Sequence, residues 1–164
     1  MDQDGCVYRP HILGVMSGQD ITIRNSDGLL HNINASPEVN RGFNFGQPVN
    51  MESNRSFPAA EVMIPVRCDV HGWMTSFIGV VDHPFYSVTS DSGEFSLDTL
   101  PPGDYTITAW HERYGVQEAA VTVVTGETAD VTFVFSESMA GGHVPMGEPV
   151  DLHDHATTSV AEGP

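Results

Sequence analysis

The sequence contains no lysine. All six basic residues are arginine, set against 22 aspartate and glutamate residues, and the formal net charge is −16. A surface of this sign repels nucleic-acid phosphates, so the charge excludes a nucleic-acid-binding function. Steering toward a basic partner, adaptation to a saline environment and an ordinary solvated acidic surface all account for the acidity, and the choice stays open.

Long apolar runs are also missing. No stretch approaches the roughly 20 apolar residues that a membrane-spanning helix needs, so we expect no transmembrane segment. The first residues, Met1-Asp2-Gln3-Asp4, are acidic and polar and do not resemble a signal peptide. We therefore expect a mature or trimmed start, with the export signal outside this numbering.

Helical periodicity is the third absence. Throughout the first 83 residues, short runs rich in valine, isoleucine and aromatic residues are separated by glycine, proline, asparagine and aspartate. Ile21 and Ile23 alternate with Thr22 and Arg24, the period of two expected of a half-buried strand. In residues 40–54 we expect a variable excursion with one strand. The sequence therefore predicts an all-β fold.

A later run carries a reactive side chain at its end. Val62, Ile64, Val66 and Cys68 share one parity, so a strand here places the thiol on the same side as its apolar side chains. We therefore expect Cys68 at the inner end of a core strand. The alternative is an inert structural cysteine.

The segment 68–74 combines three kinds of metal donor: the Cys68 thiolate, the His71 imidazole and the Met74 thioether. Copper prefers such soft and borderline ligands. One further imidazole completes a His₂Cys set with a weak axial methionine, the donor set of blue-copper electron-transfer sites. The best candidate is His31, far away in sequence on another apolar, strand-like run.

Four sequence elements, in order, resemble the cupredoxin family. The Cys-x-x-His-x-x-Met spacing of residues 68–74 is that of the amicyanin type, with its short ligand loop. The others are Tyr8-Arg9-Pro10 with Gly18-Gln19-Asp20-Ile21-Thr22-Ile23, the turn Asn25-Ser26-Asp27, and the pair His31-Asn32. The resemblance covers roughly the first half of the chain and implies a Greek-key β-sandwich.

The resemblance implies one mononuclear type 1 copper ion. Its equatorial ligands would be His31, Cys68 and His71, and its weak axial ligand Met74. The Asn32 side chain would tie the His31 strand to the ligand loop, and Trp73 would be an apolar cover near the metal. Because copper needs Cys68 as a thiolate, a Cys6–Cys68 disulfide is excluded in the working state.

The function implied is that of an extracytoplasmic single-electron carrier, periplasmic or extracellular, and not an enzyme. Its partners would be redox proteins such as c-type cytochromes or a membrane redox complex.

A copper-binding or delivery protein is the first alternative, and it predicts Cu(I) binding without a strong blue colour. A structural β-sandwich subunit of a larger redox or surface assembly is the second, and it would tolerate loss of Cys68. A copper-dependent enzyme needs a second, open metal site, and the folded region lacks a His-x-His motif.

Several other donors need an explanation. Cys6 is interpreted as a small buried residue sharing parity with Tyr8, or as half of a dinuclear copper centre, which normally takes both cysteines from one loop. We expect structural or surface roles for the histidines His11, His83 and His111. The C-terminal donors His143, Met146, His153 and His155 either capture copper transiently or belong to an ordinary solvated tail.

The pattern changes at His83-Pro84. Residues 88–97 predict two strands joined by an Asp/Gly turn, and Leu100-Pro101-Pro102-Gly103-Asp104-Tyr105 begins a second turn and strand that runs to residue 110. Residues 120–124 and 131–135 alternate again. The region resembles the carboxypeptidase regulatory-like (prealbumin-like) β-sandwich, without the usual opening strands.

We therefore expect a copper domain over residues 1–83, a small β module over 84–136 and an extended or disordered acidic tail over 137–164. No Gly/Ser-rich spacer separates the first two, so we expect a shared, rigid junction rather than a flexible linker. Residues 76–81 would then serve both units, or the module would pack directly on the first sheet.

Overall fold

The computed structural model describes residues 1–140 and the backbone of residues 159 and 160. The strands are β1 (Asp2–Gln3), β2 (Tyr8–Arg9), β3 (Ile12–Met16), β4 (Ile21–Asn25), β5 (His31–Ala35), β6 (Phe43–Gln47), β7 (Glu52–Arg55), β8 (Glu61–Arg67), β9 (Thr75–Val81), β10 (Ser87–Val88), β11 (Gly103–His111), β12 (Gly115–Val123) and β13 (Ser159–Val160). A short 3₁₀ turn spans Glu137–Met139. The predicted all-β class is confirmed, and among the described residues no helix is long or apolar enough to cross a membrane.

The chain divides into two compact units, the first comprising Met1–Asp82 and the second beginning at His83. Two sheets make up the first unit, with strand orders β2-β1-β4-β7 and β3-β9-β8-β5-β6. Their apolar side chains form one core, which buries apolar area from both sheets. Its buried members are Tyr8, Val15, Ile21, Ile23, Ile33, Ala35, Phe57, Ile64, Val66, Cys68, Met74, Ile78 and Val80.

Strand β4 has the burial that its sequence predicts. Ile21 and Ile23 are buried while the residues between and after them are exposed. In β8 the parity prediction holds from Ile64 onward, since Val66 and Cys68 are also buried. It is wrong for Val62, which is only partly buried, because a register shift between β8 and β9 interrupts the alternation before Ile64.

The excursion of residues 40–54 contains more strand than expected. Two strands form here instead of one: β6 pairs with β5, and β7 pairs with β4 in the other sheet. The turn between them, residues 48–51, lets the chain change sheets. The aromatic side chains of Phe43 and Phe45 have ring centroids 5.7 Å apart and pack against the core, which explains their shared parity.

The second unit contains a sheet of order β10-β13-β11-β12. The predicted strand after the Leu100–Gly103 turn is β11, and β12 pairs with it along its whole length. The Asp/Gly turn also forms, because Gly93 N–H donates to the Ser90 carbonyl at 2.8 Å. Residues 94–97 and 131–135 were expected to be strands, but neither segment joins a strand ladder within the described part of the chain.

The predicted tail begins with the 3₁₀ turn Glu137–Met139. The donors proposed there, His143, Met146, His153 and His155, lie outside the described residues, so the expectation of transient copper capture stays a prediction.

Glu61 anchors the loop between β5 and β6 from its place at the start of β8. Its side chain is buried and accepts hydrogen bonds from the backbone N–H of Glu38 at 2.6 Å and from the backbone and side-chain nitrogens of Asn40, each at 2.9 Å. Burial alone would raise the pKa of Glu61, but these donors outweigh it and lower the pKa below the usual value.

We expect Glu61→Gln to destabilise the first unit by about 1–3 kcal/mol at neutral pH, because an amide NH₂ would face donors that need an acceptor. The lowered pKa means that the carboxylate stabilises the fold above the unfolded value of about 4.3, and that this contribution disappears as pH falls through the folded value. The difference between variant and wild type should therefore shrink in acid. Denaturant unfolding at several pH values measures it, with the exposed Glu38→Gln as the matched control. An equal loss in both variants would contradict the prediction.

Candidate metal centre

His31 opens β5, which is paired on both sides, with β8 and with β6. The side chain is completely buried. A buried imidazole needs partners for both ring nitrogens, and His31 has them. Nδ1 lies 2.9 Å from Nδ1 of His71, and Nε2 lies 2.7 Å from Oδ2 of Asp27.

The loop that follows β8 is closed on itself by hydrogen bonds. Cys68 N–H donates to the Met74 carbonyl at 3.1 Å, and Met74 N–H donates to the His71 carbonyl at 2.9 Å. The backbone N–H of His71 donates to Cys68 Sγ at 3.3 Å. These bonds fix the conformation of the short loop, and the N–H donor on sulfur fixes the position of the Cys68 side chain.

The fold brings three of the predicted donors together. Cys68 Sγ lies 3.9 Å from Nδ1 of His71, and the donor atoms of His31, Cys68 and His71 all lie within 4.8 Å of one another. Metal–ligand bonds to nitrogen and thiolate sulfur are about 2.0–2.3 Å, so donors at these separations can share one ion. Two buried donors and a half-buried one, of the types that copper takes, therefore fit this metal.

Asp27 is the site residue that the sequence did not reveal. Its carboxylate accepts the Nε2 proton of His31, which leaves Nδ1 of that ring with the lone pair that a metal needs. The carboxylate is itself held by the backbone N–H groups of Cys6 at 2.9 Å and Gly5 at 2.8 Å. The Cys6 N–H, followed by the His31 and Gly5 donors, holds the pKa of Asp27 below its usual value against the opposing effect of burial. Asp27 stays ionised and fixes the orientation of His31.

Asn32 joins the His31 strand to the loop. Its side-chain oxygen accepts the backbone N–H of Asp69, and its Nδ2 donates to the Asp69 carboxylate at 3.3 Å. Asn34 and Asn44 donate to the same carboxylate at 3.0 Å and 2.8 Å. Hydrogen bonds from Asn34, then Asn44 and Asn32, lower the pKa of Asp69. This polar clamp fixes the residue that follows Cys68.

Two further predicted residues differ in their surroundings. Met74 is buried in the same core cluster as Cys68, and its role as an axial donor stays a prediction. Trp73 was expected to be an apolar cover near the metal; 67 % of its surface is exposed, and the covering role stays a prediction. Its ring centroid lies 5.3 Å from that of His71, and its Nε1–H donates to the Cys6 carbonyl at 3.1 Å. Trp73 therefore lies at the rim, because its indole N–H bonds a surface loop.

Among the described residues, the remaining cysteine and histidines are not in the group formed by His31, Cys68 and His71. Cys6 is a free thiol, as is Cys68, and it is only partly buried, with φ of +57°. His11 Nδ1 lies 3.1 Å from the Thr75 carbonyl. His83 and His111 belong to the second unit, where the His111 ring packs 4.4 Å from that of Tyr114.

Residues 77–136 match the family model of the carboxypeptidase regulatory-like domain. The match begins within β9 and so overlaps the sheet of the first unit. No curated protein matches the chain.

Among solved structures, the chain is similar to cupredoxins, and the likeness covers about half of it. A copper-containing nitrite reductase from Thermus scotoductus SA-01 has 15 % identity and a TM-score of 0.46, covering 50 % of this chain and 22 % of that one. A reduced mutant of amicyanin has 20 % identity and a TM-score of 0.44, covering 48 % and 77 %. A purple cupredoxin from Nitrosopumilus maritimus has 22 % identity and a TM-score of 0.40, covering 47 % and 84 %.

Proposed function

We propose that the first unit binds one copper ion through His31, Cys68 and His71, with Met74 as a weak axial donor, and carries single electrons outside the cytoplasm. The observation that supports this most is the convergence of the distant His31 imidazole with the Cys68 thiol and the His71 imidazole of one loop, all within 4.8 Å. Bound there, copper supplies a one-electron couple between Cu(II) and Cu(I).

The protein's part is to hold these donors still. His31 is fixed by Asp27, and the loop is closed by its own backbone hydrogen bonds and by the clamp on Asp69. A rigid, buried donor set needs little rearrangement when the charge at its centre changes. This argues for electron transfer over a site that opens to release metal.

His71 is the proposed edge for electron exchange. It is half-buried, whereas His31 and Cys68 are buried. Its sequence neighbours Val70 and Trp73 are 54 % and 67 % exposed, so an apolar rim surrounds the loop. The proposed partners are c-type cytochromes or a membrane redox complex, and the net charge of −16 favours those with a basic surface.

Voltammetry of the copper-loaded protein, with and without a competing Cu(I) chelator, tests this function against copper delivery. An electron carrier should give a reversible one-electron wave and keep its copper through repeated cycles. Loss of copper to the chelator at each reduction would contradict electron carriage and favour the delivery protein.

Met74→Leu should be the mildest of the ligand substitutions. The change nearly conserves volume, so we expect a stability loss below about 1.5 kcal/mol. Copper and much of the colour should remain, and the reduction potential should rise because a weak donor that helps to stabilise Cu(II) has been removed. Potentiometry and elemental analysis measure both effects, with Met63→Leu, another buried methionine of this unit, as the control. An empty site in Met74→Leu would overturn the axial assignment.

A further inference from the structure

A second group of metal-ligating side chains lies around the other nitrogen of His31. Ligand atoms of Cys6, Asp27 and His31 all lie within 4.8 Å of one another. Cys6 comes from the loop between β1 and β2, whereas Asp27 comes from the turn between β4 and β5. The group is therefore assembled by the fold, and none of its three ligands comes from the loop that carries Cys68.

The surroundings hold this second group in place. The backbone N–H groups of Gly5 and Cys6 both donate to the Asp27 carboxylate, and the Cys6 carbonyl accepts the indole N–H of Trp73. The Asp27 side chain is only 14 % exposed and that of His31 is not exposed at all. Cys6 is partly buried, so it leaves one side of the group open to solvent.

The chemistry of the group differs from that of the first site. A thiolate, a carboxylate and an imidazole are all ligands that Zn²⁺ accepts, and three protein ligands with one open position form a complete zinc site of the open type. The hard carboxylate disfavours Cu(I), which prefers sulfur and nitrogen donors. The ion would take the place of the Nε2 proton of His31, which would be released to solvent, so that a ring bound through both nitrogens would be an imidazolate.

We propose that Cys6, Asp27 and Nε2 of His31 form a second metal subsite, which binds Zn²⁺ or a similar divalent ion next to the copper site. The two sites share the His31 ring, one through each nitrogen. An ion bound in the second site would therefore contact His31, which is also a ligand of the first site. This inference goes beyond the proposed electron carriage, and only the shared ring connects the two.

Cobalt(II) is the probe for the thiolate, because a cysteine bound to Co²⁺ gives an intense near-ultraviolet charge-transfer band. In full-length Cys68→Ser, Cys6 is the only thiol left in the chain. Addition of Co²⁺ should give the band at about one ion per chain, and the double variant Cys6→Ser/Cys68→Ser should lack it. Absence of the band in Cys68→Ser, with its circular dichroism unchanged, would overturn the subsite.

The carboxylate is tested by a pair of matched variants in the same Cys68→Ser background. Asp27→Asn should weaken Co²⁺ binding at least about tenfold. Asp20→Asn removes the same charge from an exposed residue and should leave the affinity unchanged. An equal effect of both variants would show that general electrostatics, rather than a ligand, attracts the ion.

The shared ring is tested in the intact sequence, which avoids any folding defect of the Cys68 variant. With Cu(II) bound first, added Co²⁺ should broaden or suppress the copper EPR signal of the wild type but not of Cys6→Ser. An unchanged signal in both proteins would rule out the bridge through His31. If the wild type fails to give a blue copper site but Cys68→Ser still gives the cobalt band, the electron-carrier proposal fails alone.

Discussion

Cys68→Ser is expected to remove essentially all of the intense visible absorption of the Cu(II)-loaded protein. The band arises when a thiolate donates charge to Cu(II), and a hydroxyl group is a poor substitute. Cys68 lies at the end of β8 with 1 % of its surface exposed, and its sulfur accepts the His71 N–H. Absorption and EPR spectra at one equivalent of Cu(II) measure the effect.

The chain supplies a matched control for this prediction. Cys6→Ser removes the other thiol, which is not in the group formed by His31, Cys68 and His71. This variant should keep the band at close to full intensity. A band that survives Cys68→Ser but disappears in Cys6→Ser would transfer the thiolate role to Cys6 and refute the proposed site.

The two histidine variants should differ in how well added imidazole restores the copper site. Both His31→Ala and His71→Ala should open an equatorial position and perturb the blue spectrum. His71 is half-buried, so free imidazole should restore the His71→Ala site. His31 is completely buried against Asp27, so its rescue should be weaker. His31→Ala should also cost about 1–3 kcal/mol of stability, because it removes a completely buried side chain and one of the donors to the Asp27 carboxylate.

His11→Ala is the control for the histidine variants. His11 belongs to the same unit but lies outside the group of donors, with its Nδ1 3.1 Å from the Thr75 carbonyl. Its copper spectrum should match that of the wild type. An intact site in His31→Ala together with a lost site in His11→Ala would show that His11 is the upstream ligand.

The sequence alone was sufficient to predict that the candidate donors of the 68–74 loop lie close together. Cys68, His71 and Met74 lie within seven residues, so their proximity is a local property. The parity of Ile64, Val66 and Cys68 correctly placed the thiol in the core, because a strand buries alternate side chains whatever its partners are. His31 could be proposed only from donor chemistry and family resemblance, since its distance from the loop depends on which strands pair.

The role of Asp27 could not be predicted from the sequence because it, too, depends on contacts that form only in the folded chain. Its role depends on a contact across a turn with His31 and on two backbone donors at residues 5 and 6. None of these contacts leaves a periodic signal. The bond of the Trp73 indole to the Cys6 carbonyl likewise joins residues 67 positions apart, which no sequence pattern reveals.

The errors in the fold have a similar origin. Val62 breaks the alternation of β8 because of a register shift that depends on pairing with β9. Residues 131–135 keep an alternating burial pattern but join no strand ladder with other described residues. Alternation reports which side of a segment faces apolar neighbours, but hydrogen-bonded pairing is a separate requirement.

The visible and EPR spectra of the wild-type protein with one equivalent of Cu(II), recorded before and after a reductant, test the central claim most directly. A thiolate and two imidazoles around one ion predict an intense visible band that bleaches on reduction and returns on reoxidation. A colourless copper adduct, or one whose spectrum does not respond to the reductant, would contradict the proposed electron-transfer site.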